Sequence, residues 1–137
     1  MARGVILLAH GARDPAWATP FEAVAARLRE RAPGTRVRLA FLEFMTPTLE
    51  AAAQQLLAEG CARIDVVPVF LGMGGHVRRD VPVQLEALRA AHPGIDWTLH
   101  PALGETARVI CALADAAIDV AELGFASGHS PLDGIGT

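Results

Sequence analysis

IDVVPVFLGMGGH (64–76) is an aliphatic run that passes into a glycine-rich turn and ends on a histidine. The strand expected over 63–70 is apolar at Ile64 and at consecutive positions from Val66 to Phe70, not at alternate ones. A central parallel strand, buried on both faces, has that pattern. Pro68 is the misfit, because proline cannot donate to a sheet ladder; a bulge or the end of the strand at that point reconciles it. VILLAH (5–10) and VRLAFLE (37–43) repeat the theme: a short aliphatic run, then a residue able to bind a metal or move a proton. His10, Glu43 and His76 fall at equal intervals of 33 residues, about the length of one strand–helix–strand unit. In a parallel sheet, residues so spaced at the same strand end converge on one edge. The spacing therefore predicts a His/Glu/His cluster.

The segments between these runs read as helices. Residues 17–32 place Phe21, Val24, Ala25 and Leu28 at helical spacing, and Pro33-Gly34 stops the helix. Thr46-Pro47 reads as the N-cap and first-turn proline of a second helix that runs to Glu59 and ends at Gly60. LGMGGH (71–76) reads as a flexible loop, followed by a helix over about 78–91 that His92-Pro93-Gly94 ends. A fourth strand is expected over 95–100, PALGE (101–105) as its exit loop, and a last helix over about 105–122. The β-α alternation with short connections predicts an α/β domain with a four-stranded parallel sheet and right-handed crossovers. The expected strand order is 2-1-3-4, with the switch point between strands 1 and 3. Ligands of such sheets bind beyond the carboxyl ends of the strands, near that point. One domain is expected over 1–122, and the turn-rich tail 123–137 is expected to be flexible.

Composition narrows the function classes. The chain has 137 residues, 52% hydrophobic and 20% charged, with a formal net charge of −3, a globular balance. Its arginines are scattered among acids, so no basic stripe offers itself to nucleic acid. No apolar run approaches the roughly 20 residues of a membrane span, and MARGVILLAHGARD lacks a signal-peptide pattern. The expectation is a cytoplasmic protein with neither nucleic-acid nor membrane partners. Cys61 and Cys111 have no second cysteine near them, so both are expected to be packing residues.

Several familiar chemistries fail on their residues. HGARDP (10–15) is not the G-x-G-x-x-G of a dinucleotide site, and Gly72-x-Gly74-Gly75 is a weak phosphate cradle. A P-loop needs a lysine, and the chain has none. No G-x-S-x-G elbow is present. Metal chemistry is the positive reading. Imidazole and carboxylate suit Fe²⁺, Co²⁺, Ni²⁺ and Zn²⁺, and an imidazole that titrates near neutral pH can accept a proton. Each residue also has a plainer reading. His10 and His76 could be hydrogen-bonded strand-end groups. Glu43 could be a solvated carboxylate or an ion-pair partner of Arg13, Arg78 or Arg79. His92 sits at a helix C-terminus, where positive charge is favoured; His100 is ambiguous, and His129 lies in the tail.

VILLAHGARDP (5–15), VRLAFLEFMTPTLEAA (37–52), VVPVFLGMGGHVRRDVP (66–82) and PALGE (101–105) together resemble the short sirohydrochlorin chelatases of the CbiX/SirB type, over about residues 3–120. The resemblance implies a flavodoxin-like, chelatase-like half and an ATP-independent lyase. Such an enzyme inserts Co²⁺ or Fe²⁺ into sirohydrochlorin for cobalamin or siroheme synthesis, with no cofactor beyond the substrate metal; Ni²⁺ is also compatible with the ligands. It implies that His10 and His76 bind the metal and act in catalysis, with His10 the proton acceptor, and that Glu43 is the acidic residue near the metal. Leu71, Gly72, Met73, Gly74, Gly75 and His76 match the loop beside the tetrapyrrole. Ala12 departs from the serine common in relatives, which removes a hydroxyl and no ligand. Arg13, Arg78 and Arg79 flank the histidine loops and are candidate clamps for the substrate carboxylates. The short forms resemble half of the longer ones and are expected to pair as homodimers. Two other readings stand beside this one. A non-catalytic metal carrier would use the same histidines. A histidine phosphotransfer enzyme is disfavoured, because residue 9 is Ala where such enzymes carry Arg.

Overall fold

The structure, a computed structural model, describes residues 2–124. Four parallel strands, β1 (Ala2–Ala9), β2 (Thr35–Phe41), β3 (Cys61–Pro68) and β4 (Asp96–Leu99), form one sheet in the order β2-β1-β3-β4. The helices are α1 (Thr19–Arg31), α2 (Leu49–Ala58), α3 (Gly75–Ala91) and α4 (Ala107–Val120). The expected α/β class and strand order are therefore the observed ones. Val5 pairs with Val37 on one side and Asp65 on the other, and Ala9 pairs with Phe41, so β1 and β2 end level.

Alternation along β1 explains the layers. Ile6 and Leu8 join Ile64, Val66, Ala52, Leu56, Val81 and Leu85 in the main core, beneath α2 and α3. Leu7 turns to the other face and packs with Ala25 and Leu28 of α1 and with Val37. Each fully buried Leu or Ile contributes about 1.5–3 kcal/mol, and the central strand has such residues on both faces. Pro68 is the last residue of β3, which removes the misfit of a proline in a central strand.

Two helix starts differ from expectation. α2 begins at Leu49, with the Thr48 hydroxyl accepting from the Ala51 N–H at 3.2 Å. The Thr46–Pro47 peptide is cis and belongs to the turn before it. α3 begins at Gly75, with Gly74 extended at its N-cap and Pro82 in its interior. His76 is thus helical and not in a loop. Glycines read as flexible in sequence, and here one of them occupies the first helical position.

The chain divides into two compact units after Leu103. In the second unit the Thr106 hydroxyl caps α4 by accepting from the Val109 N–H at 3.4 Å. No residue of α4 is buried. Cys111, expected to pack, is exposed there, whereas Cys61 is buried in the main core and its thiol is pushed up, by burial first and by Glu59 second. Among the described residues no helix is long and apolar enough to cross a membrane. The tail expected over 123–137 lies, from residue 125 on, outside the described residues, as does His129.

Asp65 is the one buried charged residue of the described core. His100 Nε2 lies 2.8 Å from one carboxylate oxygen; Arg3 Nε donates to the other at 3.1 Å, and Arg63 Nε is 3.5 Å from it. Burial pushes the Asp65 carboxyl up, but the His100 and Arg3 hydrogen bonds and the two guanidinium charges outweigh it, so the carboxyl ends below its ordinary range. A carboxyl lowered on folding adds stability above its unfolded pKa of about 3.9. That stability is lost as pH falls through the folded value. Asp65→Ala should lower unfolding stability at pH 7 by about 1–3 kcal/mol. It should also flatten the loss of stability below about pH 4 seen in the parent chain by denaturant titration.

Candidate functional site

The site lies past the carboxyl ends of β1 and β2 and at the start of α3. Hydrogen bonds fuse the first two loops: Leu42 N–H donates to the Ala9 carbonyl at 2.9 Å and Glu43 N–H to the His10 carbonyl at 3.0 Å. Gly11 has φ +96°, and a Cβ built on it would stand 1.9 Å from the Glu43 carbonyl oxygen. Only a residue without a side chain permits this approach. Glycine at position 11 is therefore a geometric requirement of the site, and the loops after β1 and β2 act as one wall.

His10 is exposed but not free to wander. Its ring stacks on Phe70 with centroids 4.2 Å apart and planes 27° apart. Phe70 is itself buried in the main core. Such a contact holds the imidazole through its face and leaves both ring nitrogens available for other partners.

His10, Glu43 and His76 line one cavity of about 390 Å³, together with Leu42, Val77, Asp80, Val81 and Gln84. The three residues spaced evenly in sequence are thus brought to one cleft. They do not form a closed ligand cage: among the described residues no group of three or more His, Cys, Asp or Glu side chains is arranged to hold a metal ion. The cleft is open, with imidazole on both walls and no arginine among its lining residues.

The other expected site residues are placed elsewhere. None of Leu71, Gly72, Met73, Gly74 and Gly75 lines the cavity. Leu71 is exposed, and Met73 packs against the main core. Arg13 lies over the Phe44 ring, 4.6 Å from its centroid, and lines a neighbouring cavity with Glu22 and Met45. Arg78 donates to the Met73 carbonyl at 3.5 Å. His92, at the end of α3, is 3.3 Å from Gln54, and His100 is engaged by Asp65. The sequence reading missed Asp80 and Gln84. They follow His76 at four and eight residues, one helical face, and the signal becomes visible once α3 starts at Gly75.

Fold and cleft together define a class: a small parallel α/β protein with imidazoles and carboxylates gathered past the strand ends at a topological switch point. The chain belongs to the CbiX family, whose sequence model matches residues 4–120. It is 36% identical over 78 residues to a sirohydrochlorin cobaltochelatase of Methanococcus aeolicus, covering 57% of this chain and 54% of that protein. It is 40% identical over 79 residues to a sirohydrochlorin cobaltochelatase of Saccharolobus solfataricus, covering 58% and 60%. The matches thus span little more than half the length of these curated relatives. A crystal structure of a CbiX protein from Marinobacter aquaeolei VT8 superposes with a TM-score of 0.77 at 32% identity. That likeness covers 88% of this chain and 98% of the other.

The Gly11 contact gives a direct test of how the wall is built. Gly11→Ala should cost about 2–4 kcal/mol of unfolding stability, a magnitude reserved for strain and overpacking. Gly34→Ala, with open space around the new methyl, should stay within about 0.5 kcal/mol. Equal effects in chemical denaturation would contradict the fused-loop geometry.

Proposed function

We propose that this chain inserts a divalent metal, Co²⁺ or Fe²⁺, into sirohydrochlorin without ATP, as a cytoplasmic enzyme of cobalamin or siroheme biosynthesis. The observation that carries this reading is the convergence of His10, Glu43 and His76 on one open cleft in a chain of the CbiX family. Relatives named as sirohydrochlorin cobaltochelatases point to the macrocycle and to cobalt. The donor set accepts Fe²⁺ as readily in kind, and Ni²⁺ also fits it.

Metal insertion exchanges two pyrrole N–H protons for one dication. His10 is the acceptor for one pyrrole proton once the cation has passed from its ring to the macrocycle, and the other proton leaves to water: the ring is held by Phe70 while its nitrogens stay reachable. His10 and His76 together hold the cation, and Glu43 supplies negative charge beside it. An open set suits the task, since a closed four-ligand site retains its metal. Sirohydrochlorin carries carboxylate side chains, which an arginine-free cleft does not attract. They are left to arginines outside it, with Arg13 and Arg78 the candidates and the Leu71–Gly75 segment beside the macrocycle edge. No resident cofactor is needed, and the metal is a substrate.

The working unit is a homodimer. A cavity of about 390 Å³ is small for a whole tetrapyrrole, so a second wall is needed. α4 leaves Ile110, Leu113 and Val120 exposed at 54%, 49% and 86%, an apolar stripe suited to burial. Sedimentation should give twice the 14.4 kDa chain mass, and Leu113→Glu should shift it toward one copy.

With anaerobic sirohydrochlorin and Co²⁺, purified protein should change the tetrapyrrole absorption spectrum faster than the uncatalysed control. His10→Ala with His76→Ala should slow it about 10²–10⁴-fold, the usual worth of a placed acid–base group. Wild type and double variant reacting at the same rate would end the proposal. Stoichiometric metal binding indifferent to the tetrapyrrole would instead favour a metal carrier.

A further inference from the structure

The cleft contains a carboxylate that the sequence motifs did not single out. Asp80 lies four residues after His76 in α3, and both line the cavity. Side chains four apart on a helix are neighbours, with Cβ atoms about 5–6 Å apart. The α3 residues lining the cavity are His76, Val77, Asp80, Val81 and Gln84, one continuous stripe, while Arg78 and Arg79 between them do not line it. No ion pair or side-chain hydrogen bond engages Asp80 among the described residues. An unpaired carboxylate one turn from an imidazole, in a cavity without arginine, is a two-point chelate for a dication.

We propose that Asp80 is a ligand of the incoming divalent cation: His76 and Asp80 capture it as a one-turn chelate on α3 and present it to His10 across the cleft. This deepens the chelatase reading and rests on it for the role of the captured ion, though not for the capture itself. The pair comes from a single helix turn, so its spacing is fixed by backbone geometry and survives movement of the loops after β1 and β2. Two ligands with water in the remaining positions bind weakly enough for the ion to leave. Glu43, on the opposite wall, keeps its place beside the ion after transfer.

Calorimetric titration of the full chain with Co²⁺ alone, without tetrapyrrole, tests this. Asp80→Asn removes the charge at nearly constant volume. It should raise the Kd for Co²⁺ about 10-fold or more, given that groups merely supporting a ligand are worth about 10–100-fold. Asp80→Glu should recover part of the loss. Glu50→Gln, in the adjoining groove between α2 and α3, controls for the general field and should leave Kd within about twofold, as expected of an exposed charge screened by salt. Wild-type affinity in Asp80→Asn, or equal weakening in Asp80→Asn and Glu50→Gln, would overturn the proposal. The two readings fail separately. If wild type inserts metal and Asp80→Asn binds Co²⁺ normally, only this inference falls. If Asp80→Asn loses Co²⁺ while wild type shows no insertion, the chelatase reading falls and the cation site stands.

Discussion

Parallel pairing of β1 with β2 on one side and β3 on the other is the constraint from which the rest of the molecule follows. Parallel strands cannot be joined by tight hairpins, so each connection crosses a face as a helix. All carboxyl ends then lie on one edge, where the chain leaves the sheet in opposite lateral directions from β1 and β3. β1 can hold this central position because its residues are buried on both faces: Ile6 and Leu8 on one, Leu7 on the other. His10 is the first residue beyond that strand, so a fully buried segment of the described core positions an exposed imidazole. The stack on Phe70 extends the same logic, with a core residue steadying a reactive ring.

The architecture was legible in the sequence wherever burial dictated residue type. Consecutive aliphatic residues marked β1 and β3, and the 33-residue interval placed His10, Glu43 and His76 on one edge. What escaped was decided by backbone geometry. Gly74 and Gly75 read as loop because glycine is permissive, yet Gly75 opens α3. That error of about three residues hid the His76, Asp80, Gln84 stripe. Thr46-Pro47 reads as a helix start by local preference, and the structure spends those residues on a turn, leaving Thr48 as the cap. The burial of Asp65 by Arg3, Arg63 and His100 is a tertiary arrangement with no local signature. The exposure of Cys111 likewise follows from α4 burying none of its own residues.

Two carboxylate environments show how one fold separates stability from chemistry. Asp65 is buried and tied to a histidine and two arginines, and its charge is neutralised within the protein. Asp80 and Glu43 face a cavity whose lining offers no arginine. Buried charge demands partners because desolvation is costly. Charge at the mouth of a cleft is solvated and can wait for a ligand. Satisfied and unsatisfied acids are thus kept apart in the fold, and the unsatisfied ones share their cavity with two imidazoles.

His10, just past β1, and His76, in α3, are proposed to hold one metal ion between them. Histidine-selective ¹⁵N NMR of the full chain during titration with Zn²⁺, used as a diamagnetic probe, tests it most directly. The ring nitrogens of both histidines should shift along one common curve complete at about one equivalent per cleft, as a shared ligand set requires, while the ring of His100, held by Asp65, stays still. Shifts in only one ring, or two rings titrating with separate midpoints, would contradict a shared ion.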